Sequence, residues 1–307
     1  MLSRIADSLF WIGRYIERAD GTARMVDTLR LSLIEDPAQN ENYTSSMLLG
    51  GIMGYDEINP EVGYEEVARQ LVFDAANPSA ISGSWLAARE NARRARETLS
   101  TELWEVINTS WHRWNGLGTK AATQQHLGWV RERSALVAGI ADVTMSHDDA
   151  WNFICLGRSL ERADMTARIV ATGALDWGPS WGVVLSSCGA QQAMLRTMRG
   201  VITDRSAAAF LSLDRRFPRS VLASLEDAER RLMTLAPDND RVGFSDEGRR
   251  ILGEMRSRLE YNDPDHVLAD LPNQMRQVQD AVTAASEAIG DRYFKSAPVQ
   301  EWTGEIL

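Results

Sequence analysis

The amino-acid sequence predicts an all-α protein, a helical bundle built from two tandem, pseudo-symmetric helical repeats. Three observations carry this: apolar residues recur at helical spacing, no segment alternates apolar and polar residues as a half-buried strand does, and one charged helical segment occurs twice. The periodicity predicts helices over about 2–34, 61–76, 80–114, 119–146, 147–173, 181–210, 218–235, 245–260 and 265–292.

In the first helix Ile5, Leu9, Ile12, Ile16, Ala19, Ala23 and Val26 fall on one stripe, the face expected to meet the core. The stretch after Pro37 holds Gly50, Gly51, Gly54 and Pro60 and is the least helical part of the chain. Asp74 and Pro78 bracket a turn that ends one helix and opens the next, with proline tolerated in a first turn but not in an interior. On the long third helix Trp104, Ile107, Trp111 and Trp114 share one face, read as core or as a docking groove, while Arg89, Arg93 and Arg96 with Glu90 and Asn91 form a polar face. Asn115–Gly118 is a loop signal, and Asn115–Lys120 reads as a helix hairpin. His147, Asp148 and Asp149 open the next long helix, where acids favour the positive dipole end. Its stripe is Phe153, Leu156, Leu160, Ala163, Ala167 and Val170. Further loops fall at Trp177–Pro179, Pro237–Asp240 and Asn262–Pro264.

GRYIERADGTARMV at Gly13–Val26 returns as GRSLERADMTARIV at Gly157–Val170, 144 residues later and identical at ten of fourteen positions. LVFDAANPSAI at Leu71–Ile81 aligns more weakly with LSLDRRFPRSV at Leu211–Val221, sharing Leu71/Leu211, Asp74/Asp214 and Pro78/Pro218. Order and spacing survive together, so the expected units are 1–146 and 147–307, packed as one globular whole.

The repeated segment keeps its charges. Arg14, Glu17, Arg18, Asp20 and Arg24 recur as Arg158, Glu161, Arg162, Asp164 and Arg168. Exposed charges drift after duplication because their substitution changes stability by less than about 0.5 kcal/mol. An intrahelical ladder such as Asp20 to Arg24 contributes only a few tenths of a kcal/mol, too little to explain the retention. Two readings stand: a buried polar network where the two helices meet, or a pocket whose carboxylates take an amine and whose guanidiniums take a carboxylate or phosphate.

A net charge of -10 argues against non-specific nucleic-acid binding, which needs a basic surface. Lys120 and Lys295 are the only lysines, so positive charge is almost entirely guanidinium. Cys155 and Cys188 are too few for a disulfide framework and fit a reducing cytoplasm. Neither an export signal nor a run long enough to span a membrane is expected.

Other chemistries find little support. No Glu-x-x-His element suits a di-iron bundle, and Asp263 before Pro264 reads as a helix start rather than a partner of His266 in ligation, so no metal or cofactor is expected. Asn115–Lys120 lacks the spacing and the preceding strand of a phosphate loop. There is no Gly-x-Ser-x-Gly elbow, and Cys155 aligns with Trp11, which leaves no nucleophile with a visible base. Ser186–Gly189 reads as a tight helix contact.

The opening MLSRIADSLFWIGRYIERADGTARMV resembles the amino-terminal signature of the α-E family, all-α proteins named for a Glu-Arg element. FDAANPSAI, ARENARRARETLSTELWEVIN at Ala88–Asn108 and LDRRFPRSV are similar to further family patterns, so the likeness spans nearly the whole chain. Phe10, where a tyrosine is common, and Gly21 inside the signature helix are the departures. The resemblance implies a cytoplasmic bacterial protein whose relatives occur beside, or fused to, a circularly permuted ATP-grasp ligase and a transglutaminase-like peptidase, in systems that make or modify peptide amide bonds. The leading expectation is an accessory subunit that binds such a ligase or its peptide substrate through the duplicated Glu-Arg surface. Alternatives are an enzyme using Glu17 or Glu161 as a general base and a purely structural helical adaptor. Neither nucleic acid nor membrane is an expected partner, and self-association stays open.

Overall fold

The computed structural model describes residues 2–35, 40–46, 62–117, 123–175, 178–197, 201–236 and 246–295. Among the described residues there is no strand, and the all-α class holds. The elements are α1 (Ser3–Glu35), a short helical stretch at 41–46, α2 (Tyr64–Phe73), α3 (Ile81–Arg94), α4 (Thr101–Gly116), α5 (Gln124–Thr144), α6 (Asp149–Gly173), α7 (Trp181–Ser187), α8 (Gln191–Thr197), α9 (Asp204–Leu213), α10 (Val221–Leu235), α11 (Glu247–Tyr261), α12 (Pro264–Ala269) and α13 (Leu271–Ile289), followed by a π-helical turn at Gly290–Phe294.

Three predicted helices are subdivided, each for a local reason. The 80–114 segment breaks after Arg94: Ala95 leaves helical geometry (φ -98°, ψ 14°), a 3-10 turn spans Arg96–Thr98, and the Ser100 hydroxyl restarts the helix by accepting from the Leu103 N–H at 3.1 Å. The 181–210 segment breaks where Gly189 takes φ +63°, a left-handed conformation costly for other residues, and again where Thr203 and Ser206 form a capping box that opens α9. The 265–292 segment is interrupted at Asp270 (φ -133°, ψ 50°), after which Pro272 takes a first-turn position that needs no N–H. Pro218 precedes α10 by three residues instead of starting it, because Ser220 is the cap. Pro37, Gly50, Gly51, Gly54, Pro60, Gly118, Trp177 and Pro237–Asp240 lie outside the described residues.

The packing order is simple. α1 packs against α3 and α5, with α4 bridging those two, so α1, α3, α4 and α5 close a four-helix ring. α6 packs against α10 and α13, with α11 bridging them, which closes a second ring. α1 and α6 lie against each other where the rings meet. Every residue of both predicted apolar stripes is buried. Much of each reverse face is covered as well, chiefly by the other central helix. Gly21 shows why: a methyl added there would lie 2.8 Å from the Met165 Cε, so the methionine of α6 fills the space that the glycine of α1 leaves.

The two Asp-Pro turns share their hydrogen bonds. Asp74 accepts from the Ala76 N–H at 2.9 Å and Asp214 from the Arg216 N–H at 2.8 Å. The Ser84 and Ser224 hydroxyls donate to the Pro78 and Pro218 carbonyls at 2.8 and 3.4 Å. Thr22 of α1 and Thr166 of α6 donate to the Ser79 and Arg219 carbonyls at 3.2 and 3.0 Å, tying each turn to its own central helix.

Candidate functional site

The site is built by two glycines. A Cβ on Gly13 would lie 2.0 Å from the Ile154 carbonyl oxygen, and one on Gly157 would lie 2.0 Å from the Phe10 carbonyl oxygen. Only a residue without a side chain lets the α1 and α6 backbones touch there. One turn further on, the Glu-Arg pairs face each other across the contact.

The pairs bond crosswise. Arg18 donates through Nε and Nη2 to the two Glu161 oxygens at 2.5 and 3.0 Å, while Arg162 donates through the same atoms to Glu17 at 2.9 and 2.8 Å. Both are fork-on-fork contacts, the strongest geometry open to these groups. Within each helix, Arg24 holds Asp20 and Arg168 holds Asp164, both at 2.8 Å. Arg24 also donates to the Ser187 carbonyl at 3.2 Å, beside the buried contact of the Thr28 and Ser187 hydroxyls. The structure therefore places nine of the ten sequence-predicted charged residues, all but Arg158, in ion pairs on the two crossing helices, with the carboxylates inside: Glu17 is 5% exposed, Glu161 1%, Asp20 2% and Asp164 8%. The guanidiniums form the rim.

Each glutamate takes a second cation, and here the halves differ. Arg14 approaches Glu161 at 2.7 Å, as an ion pair rather than an aligned hydrogen bond, and donates to the Ser286 hydroxyl at 3.3 Å. Its counterpart Arg158 makes no ion pair among the described residues. Arg219 instead donates to Glu17 at 2.7 Å and to Asp20 at 2.6 Å. Sequence reasoning missed Arg219. Its signal was present in the aligned Asp-Pro turns, where arginine stands against Ser79 of the other copy.

Burial pushes both glutamates up, but Arg162 and Arg219 around Glu17, and Arg18 and Arg14 around Glu161, outweigh it and hold both carboxyls below the usual carboxylate range. Arg18 and Arg219 move upward in turn: burial disfavours their charge, yet Glu161 and Glu17 overcome it. Both glutamates are acceptors whose oxygens are already occupied by guanidinium donors. Both cysteines are buried, and burial raises the Cys155 thiol and pushes Cys188 up to about 11, away from the thiolate a nucleophile needs.

The other features flagged in the sequence are absorbed by packing. Trp114 is buried, stacks on Trp129 at 5.9 Å and donates its indole N–H to the Ser82 hydroxyl at 2.7 Å. Trp104 and Trp111 lie half-buried against the same core, with Arg96 over the Trp104 ring. Arg89 and Arg93 close on Glu90, and Asn91 donates to the Ala87 carbonyl. Asp148 caps α6 and Asp263 caps α12. Among the described residues no three His, Cys, Asp or Glu side chains gather as a metal would require, and no helix is long and apolar enough to cross a membrane.

The Alpha-E family model, described as a predicted alpha-helical domain with a conserved ER motif, matches residues 1–294. Three uncharacterized proteins, one from Mycobacterium bovis and two from strains of Mycobacterium tuberculosis, are each 24% identical over 331 aligned residues, covering 93% of this chain. The chain spans 37% of the length of these relatives. No solved structure matches it.

Proposed function

The chain belongs to the Alpha-E family, and from that premise we propose that it is a non-catalytic binding or accessory subunit whose Glu-Arg centre is a clasp between two ancestral halves, meeting at about residue 146. The observation that carries this reading is the saturation of Glu17 and Glu161 by two guanidiniums each. A general base needs a lone pair facing substrate and a pKa near the working pH. Neither glutamate has them, which weighs against the alternative of an enzyme acting through Glu17 or Glu161. The matched turns, the equal ring order and the crosswise pairing support the duplication.

The company this subunit keeps follows from the family resemblance: an ATP-grasp ligase, or a transglutaminase-like protein, in a system forming or modifying peptide amide bonds in the cytoplasm. The test is to assay the chain alone, the ligase alone and the two together for amide-bond formation. Turnover only in the mixture supports the subunit, turnover by the isolated chain overturns it in favour of an enzyme, and a ligase indifferent to the chain removes the partnership.

A further inference from the structure

One arginine of the repeated set acts on the clasp only at a distance: Arg158 helps to hold Glu17 ionised but bonds to neither glutamate. Because Arg219 occupies the Glu17 position that the Arg14–Glu161 contact would assign to Arg158, Arg158 is left without a direct ion pair among the described residues. Its Nε is buried and unpartnered, and its Nη2 donates to the Cys155 sulfur at 3.5 Å. The side chain lines a cleft of about 350 Å³ between α6, the second Asp-Pro turn and the start of α10.

Five arginines line that cleft, Arg158, Arg162, Arg215, Arg216 and Arg230, against two acids, Glu226 and Asp227. Asp227 is committed to Ser159, Arg230 and Arg231. Arg215 is shared with Glu260 and, at 3.7 Å, with Glu226. Arg162 serves Glu17. Arg216 is four-fifths exposed, with only Asp214 near it at 3.8 Å. Among the described residues Arg158 therefore has no carboxylate within ion-pair distance, Arg216 has only the distant Asp214, and the N-terminus of α10 adds its positive end to the same cleft.

The aligned half supplies an internal comparison. Where the second turn has Arg215, Arg216 and Arg219, the first has Ala75, Ala76 and Ser79, and Glu90 stands at the position of Arg230. Matched Asp-Pro turns thus carry arginines in the second half where the first carries alanines and a serine. The clasp does not require this, since Arg215, Arg216 and Arg230 touch neither glutamate.

We infer that this cleft binds a phosphate group, free or carried on a small molecule, through Arg158 and Arg216. Guanidinium forks match the geometry of phosphate oxygens, and the volume lies at the small end of ligand sites. The site stands apart from the accessory-subunit reading and can be tested without any partner.

The experiment is calorimetric titration of the full chain with inorganic pyrophosphate and, separately, with a nucleoside diphosphate, at fixed ionic strength. Saturable one-to-one binding is expected for both, and tighter binding of the nucleotide would identify the ester as the source. Arg216→Ala and Arg158→Lys each weaken binding about tenfold, while Arg250→Ala, on the exposed face of α11, leaves it unchanged. Thermal unfolding without ligand establishes that each variant is folded. Lack of saturable binding by the wild-type chain, or unaltered affinity in the folded Arg216→Ala/Arg158→Lys double variant, overturns the assignment.

Discussion

Glu17 and Arg162 show how a charged pair comes to be kept inside a protein. Taking a carboxylate from water costs several kcal/mol, and only a close, well-aligned cation offsets it. Glu17 has Arg162 on both oxygens and Arg219 on one. Glu17→Gln keeps the shape and deletes the charge, leaving two inward guanidiniums under-compensated. The expected loss in urea unfolding is about 3 kcal/mol, the lower end for a broken buried pair because the guanidinium rims still reach water. The pH dependence has a defined sign. Glu17 and Glu161 lie below the usual range when folded, so their contribution is fully present above the unfolded carboxyl pKa of about 4.3 and declines as pH falls below it. The acid limb of the stability profile should therefore be shallower in Glu17→Gln than in the wild type. Equal limbs would mean that the clasp does not couple folding to this carboxyl.

At the scale of elements, the α1–α6 crossing depends on what Gly13 and Gly157 lack. Gly13→Ala or Gly157→Ala places a methyl against a main-chain oxygen, and a backbone cannot swing aside as a flexible side chain can. The helices must separate, which lengthens the crossed ion pairs one turn away. Each substitution should cost about 3 kcal/mol or more in denaturant unfolding. Gly139 in α5 is the contrast. Nothing lies within 4 Å of its added Cβ, so Gly139→Ala should stabilise by about 0.5–1 kcal/mol, by removing glycine from a helix interior. Similar responses at all three positions would show that the crossing is looser than its backbone contacts indicate.

For the whole molecule, the bonds that satisfy each glutamate come largely from the other side of the crossing. Residues 1–146 made alone would present Glu17 without Arg162 or Arg219, and residues 147–307 would present Glu161 without Arg14 or Arg18. Each fragment should remain largely unfolded by circular dichroism, whereas co-expressed fragments should assemble. A fragment that folds cooperatively alone would dismiss the idea of one clasped body. How far this was legible beforehand follows from what each residue depends on. Helical spacing placed α1 and α6 and named both buried stripes, because periodicity records which face meets the core. Retention of five charges in two copies marked the centre without the fold. The breaks at Ala95, Gly189 and Asp270 escaped it, since caps and single backbone torsions decide them and apolar residues continue across them. Arg219 and the uncommitted Arg158 escaped it as well. Local spacing and repetition in the chain were enough for the two central helices, their buried stripes and the ten repeated charged residues. Only the tertiary structure decided which cation satisfies which carboxylate, because that choice depends on two helices touching at Gly13 and Gly157, residues 144 positions apart whose contact no local spacing encodes.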